Sequence, residues 1–184
     1  GTRRPDCTFC RSTLAAGVRA LAIDALDPDT LFAAANAGLF RSADGGRTWR
    51  RVARGDLHEA RDLGIDSTAD GFHDVVLDPV TPATVYGTTI GTVWKSTDGG
   101  DTWARANAGL PGVSIDALAI DPRDPRILYV AGDGGIYRST DGARSWHRFE
   151  RGLQGVGVRA LAVAPDGRTL FAGTGGRGVV SFDY

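Results

Sequence analysis

Ser42-Ala43-Asp44-Gly45-Gly46-Arg47-Thr48-Trp49 returns as Ser96-Thr97-Asp98-Gly99-Gly100-Asp101-Thr102-Trp103 and again as Ser139-Thr140-Asp141-Gly142-Ala143-Arg144-Ser145-Trp146. The copies are 54 and then 43 residues apart. A period near 40 residues belongs to propellers and solenoids, in which each repeat is one supersecondary unit that needs its neighbours to bury an apolar face. Working outward, an apolar heptad precedes each copy: Val18 to Asp24 (VRALAID), Phe72 to Asp78 (FHDVVLD) and Ile115 to Asp121 (IDALAID). A fourth heptad, Val158 to Ala164 (VRALAVA), follows the last copy, and the four are spaced by 54, 43 and 43 residues.

Each unit reads as four short strands, for instance Ile115 to Ile120, Ile127 to Ala131, Gly135 to Ser139 and Ser145 to Glu150. The first turn of that unit is Asp121-Pro122-Arg123-Asp124-Pro125, with equivalents at Asp27-Pro28-Asp29, Asp78-Pro79-Val80-Thr81-Pro82 and Pro165-Asp166-Gly167. Proline fixes φ and lacks a ladder donor, which suits a loop and not a central strand, so these aspartates are read as turn formers. The 26 Gly and 8 Pro among 184 residues, without any long helix-period apolar stretch, point the same way. The expected fold is all-β: about four blades at 18–54, 72–107, 115–150 and 158–184 in one domain spanning 1–184.

The repeated octapeptide resembles the Asp-box, or BNR, repeat of a superfamily that includes sialidases, sortilin-type receptors, xyloglucan-cleaving endoglucanases and photosystem II assembly factors. The resemblance covers nearly the whole chain and implies a β-propeller with the box as a turn between the third and fourth strands of a blade. It further implies that Asp44, Asp98 and Asp141 accept backbone hydrogen bonds, that the box glycines take positive φ, and that Trp49, Trp103 and Trp146 pack between blades. It does not choose among activities, since one fold hosts many.

The fourth unit ends after its third strand, at Gly178 to Tyr184. The segment Cys7 to Gly17 precedes Val18 much as Trp146 to Gly157 precedes Val158, so strand 7–16 is expected to complete the last blade. Three arrangements are open: closure within one chain, exchange of that strand between molecules, or a piece of a larger propeller. The absence of Met and the start at Gly1 suggest a processed product or an excised domain. Cys7 and Cys10, the only cysteines, form a C-x-x-C best read as a local disulfide in an exported protein. No βαβ pattern supports a thioredoxin-type pair, no second ligand pair supports zinc, and Arg11 stands where c-type haem attachment wants His.

The formal charge of −1, from 21 basic and 22 acidic residues, gives no basic footprint for nucleic acid. No apolar run approaches the roughly 20 residues that span a bilayer. An extracellular, periplasmic or cell-surface location is expected. No cofactor or metal is implied.

Two places are candidates for function. Between Arg54 and Phe72 lie 11 extra residues, with His58, Glu59, Arg61, Asp62, Asp66 and Asp70 in the inserted loop; a solvated loop is the plainer reading and a recognition or cation-binding loop the sharper one. Aligning the heptads puts Arg19, His73, Asp116 and Arg159 at one position per blade, near the channel mouth. Such a set either neutralises itself as a ring of ion pairs or binds a carboxylate or phosphate through the arginine forks. Phe40, Trp94, Tyr137 and Val180 share a third-strand position and are expected in the core between blades.

A sialidase would need an arginine triad, a nucleophilic Tyr with a Glu partner and an Asp acid, and these have no evident places here. Glycoside hydrolysis of the xyloglucanase type needs two carboxylates about 5 to 10 Å apart, with Asp62, Asp66, Asp74 and Asp116 the ones to consider. No phosphate-cradling loop, dinucleotide fingerprint or serine-hydrolase arrangement is present. The expected function is a non-catalytic interaction or scaffold propeller in an extracellular or cell-surface assembly. Its partner is a protein, or a second molecule through the terminal strand; a glycan-binding propeller and a hydrolase fragment are the alternatives.

Overall fold

The structure, a computed structural model, describes residues 17–53, 71–112, 114–149, 153 and 155–184. The first blade contains β1 (Val18–Ile23), β2 (Thr30–Ala35), β3 (Gly38–Ala43) and β4 (Arg50–Ala53), paired antiparallel in that order. The second contains β5 (Asp74–Leu77), β6 (Val85–Thr89), β7 (Thr92–Ser96) and β8 (Ala104–Arg105). The third contains β9 (Ala117–Ile120), β10 (Leu128–Gly132), β11 (Gly135–Ser139) and β12 (His147–Arg148). The fourth has three strands among the described residues, β13 (Val158–Val163), β14 (Thr169–Thr174) and β15 (Gly178–Asp183). Strand 7–16, expected to complete it, lies outside the described residues, as do Cys7, Cys10 and the inserted loop with His58, Glu59, Asp62 and Asp66. Among the described residues no helix is long and apolar enough to cross a membrane.

The fourth strands are shorter than the heptad spacing predicts. In the third blade His147 and Arg148 pair with β11 and Phe149 donates its N–H to Ile136 O at 2.9 Å, while Trp146 turns aside: it donates its backbone N–H to Ala108 O at 2.8 Å and its indole Nε1–H to Ala106 O at 2.7 Å, both on the second blade. The ladder yields one residue to the neighbouring blade.

The blades stack in series through their first strands, β1 on β5, β5 on β9 and β9 on β13. The period-2 alternation of each strand divides its side chains between the two neighbours. One apolar cluster joins Phe32, Ala34 and Leu39 of the first blade to Phe72, Val75, Leu77, Val85 and Trp94 of the second. The next joins Tyr86 and Val93 to Leu118, Leu128, Val130 and Trp146, and a third joins Tyr129, Ala131 and Ile136 to Val158, Leu170 and Ala172. Each blade therefore presents a forward face to the next blade and a rear face to the one before.

Turns follow the aspartates. The Asp24, Asp78 and Asp121 carboxylates each accept two backbone N–H groups just beyond the first strand, at 2.8 to 3.3 Å.

Candidate functional site

The three Ser-x-Asp-Gly turns share one hydrogen-bond plan. In the first, Asp44 Oδ1 accepts the Thr48 N–H at 2.8 Å and the Ser42 hydroxyl at 2.8 Å, while Oδ2 accepts the Thr48 hydroxyl at 2.7 Å. Ser42 Oγ in turn accepts the Gly46 N–H at 2.9 Å. Asp98 and Asp141 repeat the plan with Thr102, Ser96 and Gly100, and with Ser145, Ser139 and Ala143. Hydrogen bonds from Thr48 and Thr102, hydroxyl first and amide second, pull Asp44 and Asp98 down to about 2, and those from Ser145 pull Asp141 lower still. Both oxygens of each carboxylate are thus engaged inside their own turn. The second turn glycine sits at φ +84° (Gly46) and +92° (Gly100), and Ala143 accepts a φ of +65° at the same position.

The tryptophans divide. Trp146 is buried between the second and third blades, and Trp103 packs partly buried on the cluster between the first and second, its ring 6.1 Å from Phe72. Among the described residues Trp49 packs on its own blade's cluster of Ala33, Ala35 and Phe40. Trp49 and Trp103 turn their indole N–H back to Gly46 O and Gly100 O. Of the four aligned third-strand residues, Phe40 and Trp94 are buried, while Tyr137 and Val180 are half-buried.

Three of the four residues aligned near the channel mouth meet. Arg159 Nη1 donates to Asp116 Oδ2, and Arg159 Nη2 stands 3.5 Å from Asp133 Oδ1. Asp116 Oδ1 accepts the Ser114 hydroxyl at 3.1 Å and lies 3.6 Å from His73 Nδ1. His73 Nδ1 is 2.9 Å from Ile115 O. A carbonyl oxygen only accepts, so Nδ1 carries a proton here, and His73 Nε2 is buried with no hydrogen-bond partner among the described residues. Arg19 stays apart and gives its Nε–H to Asn36 Oδ1 at 2.7 Å.

A backbone device aims the arginines. The β1–β2 register shifts between Val18 and Ala20, and the β13–β14 register between Val158 and Ala160, so Arg19 and Arg159 are both bulge residues. A bulge re-aims a side chain at a sheet edge. The loop residues Asn36 and Asp133 that receive the arginines come from the turn between the second and third strands, and the heptads give no sign of them.

Asp74 faces the next blade. Its Oδ2 accepts the Leu118 N–H at 2.8 Å and its Oδ1 the Val75 N–H at 2.8 Å, while burial pushes its carboxyl above the ordinary range.

A second repeated contact lies in the third strands. Arg41 stands over Phe32 at 5.9 Å, Lys95 over Tyr86 at 5.2 Å and Arg138 over Tyr129 at 5.7 Å. Lys95 continues across to donate to Gly142 O at 2.9 Å, in the turn of the next blade. The sequence carries half of the signal, a basic residue before the Ser of each turn (Arg41, Lys95 and Arg138), while the rings are supplied across the ladder by the second strands.

This fold is of the β-propeller type, and solved structures share it. The GH74 enzyme of Niastella koreensis is similar with a TM-score of 0.69 at 23% identity over 91% of this chain, which spans 28% of the enzyme. The GH74 xyloglucanase from Xanthomonas campestris gives 0.68 at 22% identity over 91% of this chain and 29% of its own. The extracellular domain of a putative hybrid two component system from B. thetaiotaomicron gives 0.66 at 16% identity, over 91% and 21%. The chain thus spans less than a third of each, and identities this low speak to the fold alone. The sequence matches no protein-family model and no curated protein.

Proposed function

We propose that this chain is a non-catalytic interaction or scaffold module of Asp-box propeller type, working in an extracellular or cell-surface assembly. The observation that carries the reading is the state of the inner-strand carboxylates. Asp74 spends both oxygens on backbone N–H groups of two blades, and Asp116 is held by Arg159 and Ser114 beside His73. Glycoside hydrolysis needs one carboxyl to release a proton toward a leaving group and a second one facing the sugar; here both hold blades or ion pairs. A location outside the cell is supported by the extracellular domain with which the chain shares its fold.

Incubation with xyloglucan and other soluble β-glucans tests this directly, by reducing-end release. No release above a buffer blank is expected. Turnover that Asp116→Asn abolishes would replace the reading with that of a hydrolase fragment, and calcium-dependent retardation of the chain in a glycan-containing gel would replace it with a lectin.

A further inference from the structure

At the two ends of the stack the joining faces are exposed in part: the forward face of the fourth blade at Phe171 and Val179, and the rear face of the first at Leu21 and Ile23, while its Ala33, Ala35 and Phe40 are 0 to 1% exposed. Val179 of the fourth blade occupies the position of Leu39, Val93 and Ile136; those three are 0% exposed and Val179 is 73% exposed. Phe171 occupies the position of Phe32, Tyr86 and Tyr129, which are 0 to 2% exposed, and is itself 42% exposed. At the other end, Leu21 occupies the rear-face position of Val75 and Leu118. Those are 2% and 3% exposed, Leu21 is 62% exposed, and Ile23 beside it is 59% exposed.

The end faces are opposite halves of one joint. Where the joint is made, the forward aromatic lies against the next blade's turn: a Cβ on Gly100 would stand 3.2 Å from Phe32 Cε1. At Gly46, the same position on the first blade, the nearest described atom to a Cβ is on that blade's own Trp49, at 3.7 Å. Ser181 replaces Arg41, Lys95 and Arg138 in the fourth blade, so its forward face carries no cation to clamp the next turn. A joint made there rests on apolar contact and has the weaker, separable character of an association between molecules.

We infer that the forward face of the fourth blade docks on the rear face of the first blade of a second copy of this chain, head to tail. It continues the blade-on-blade interface that already joins the four blades. Two such joints related by a two-fold axis would close a ring of about eight blades, the upper end of the usual propeller range. The inference names a partner for the scaffold reading above and rests on it.

Light scattering over a hundredfold dilution of the full chain tests it, with Leu21→Asp and Val179→Asp as variants. Both residues are exposed, so the substitutions spare the core, and circular dichroism melts check that they do. The wild-type chain is expected at a multiple of 19.3 kDa, falling to 19.3 kDa on dilution. Each variant alone is expected to dissociate at a concentration at least about tenfold higher than wild type, a loss of about 1.4 kcal/mol. Mixed, the two variants restore association, because one keeps the forward face and the other the rear face. A wild-type chain of 19.3 kDa at every concentration overturns the inference, as does a mixture no heavier than its parts. Neither result bears on polysaccharide turnover, so the scaffold reading and this one fail separately.

Discussion

At the scale of single residues, the stability of the fold is tied to three exposed carboxylates. Asp44 and Asp98 titrate at about 2 and Asp141 lower still, against 3.8 for a free aspartate. A lowered folded-state value means that the unfolded chain takes up protons first. The contribution is therefore complete above about 3.8 and is lost as pH falls through the folded values. Asp124, lowered by its hydrogen bond from Arg126, acts in the same direction, and Asp74, raised by burial, with the opposite sign, one group against four. Unfolding by urea, followed by circular dichroism, is expected to give a flat stability at neutral pH that declines from about pH 4 toward pH 2. Asp98→Asn removes one of the three groups and makes that decline shallower; an unchanged slope in the variant would contradict the assignment. These turns were legible in the sequence because their chemistry is local. Ser42, Asp44, Gly46 and Thr48 bond one another within seven positions, and one further bond, from Gly45 N–H to Asp29 O at 2.9 Å, ties the turn to the first turn of its blade.

At the scale of elements, legibility fell where a contact left its own blade. The heptads and proline turns located the first three strands of each unit closely, since alternation and turn residues are properties of short stretches. The fourth strands of the second and third blades are two residues long, and in the third Trp146 bonds Ala106 and Ala108 across a blade boundary. Arg19 was aligned correctly with Arg159 yet reaches Asn36, while Arg159 reaches Asp116 and Asp133; a bulge and two loop residues decide the difference. The aligned tryptophans differ for a related reason, which is whether a blade stands behind them. Trp146→Ala, emptying a site 1% exposed between two blades, is expected to cost about 3–5 kcal/mol. Trp49→Ala, which among the described residues loses its own blade's cluster, is expected to cost less than half as much in the same denaturant titration. Equal losses would mean that the rear face of the first blade is as fully occupied as that of the third.

At the scale of the whole molecule, the sequence announced how many blades there are and in what order, but not what stands at either end of the row. The spacing of 54, 43 and 43 residues counts units, whereas curvature and closure depend on how faces tilt, which no residue spacing records. The exposure of Leu21, Ile23, Phe171 and Val179 was hidden for the same reason: their identities match those of their buried equivalents, and only position distinguishes them. Because the blades join in series, each interior blade is propped from two sides and each terminal one from a single side. A linear array with nearest-neighbour coupling melts inward from its termini. Amide hydrogen exchange in dilute solution is therefore expected to be fastest in β1 and β15 and slowest in β6 and β10. At concentrations where copies associate, protection should rise in the first and fourth blades alone, as fraying is suppressed in a row that no longer has an end.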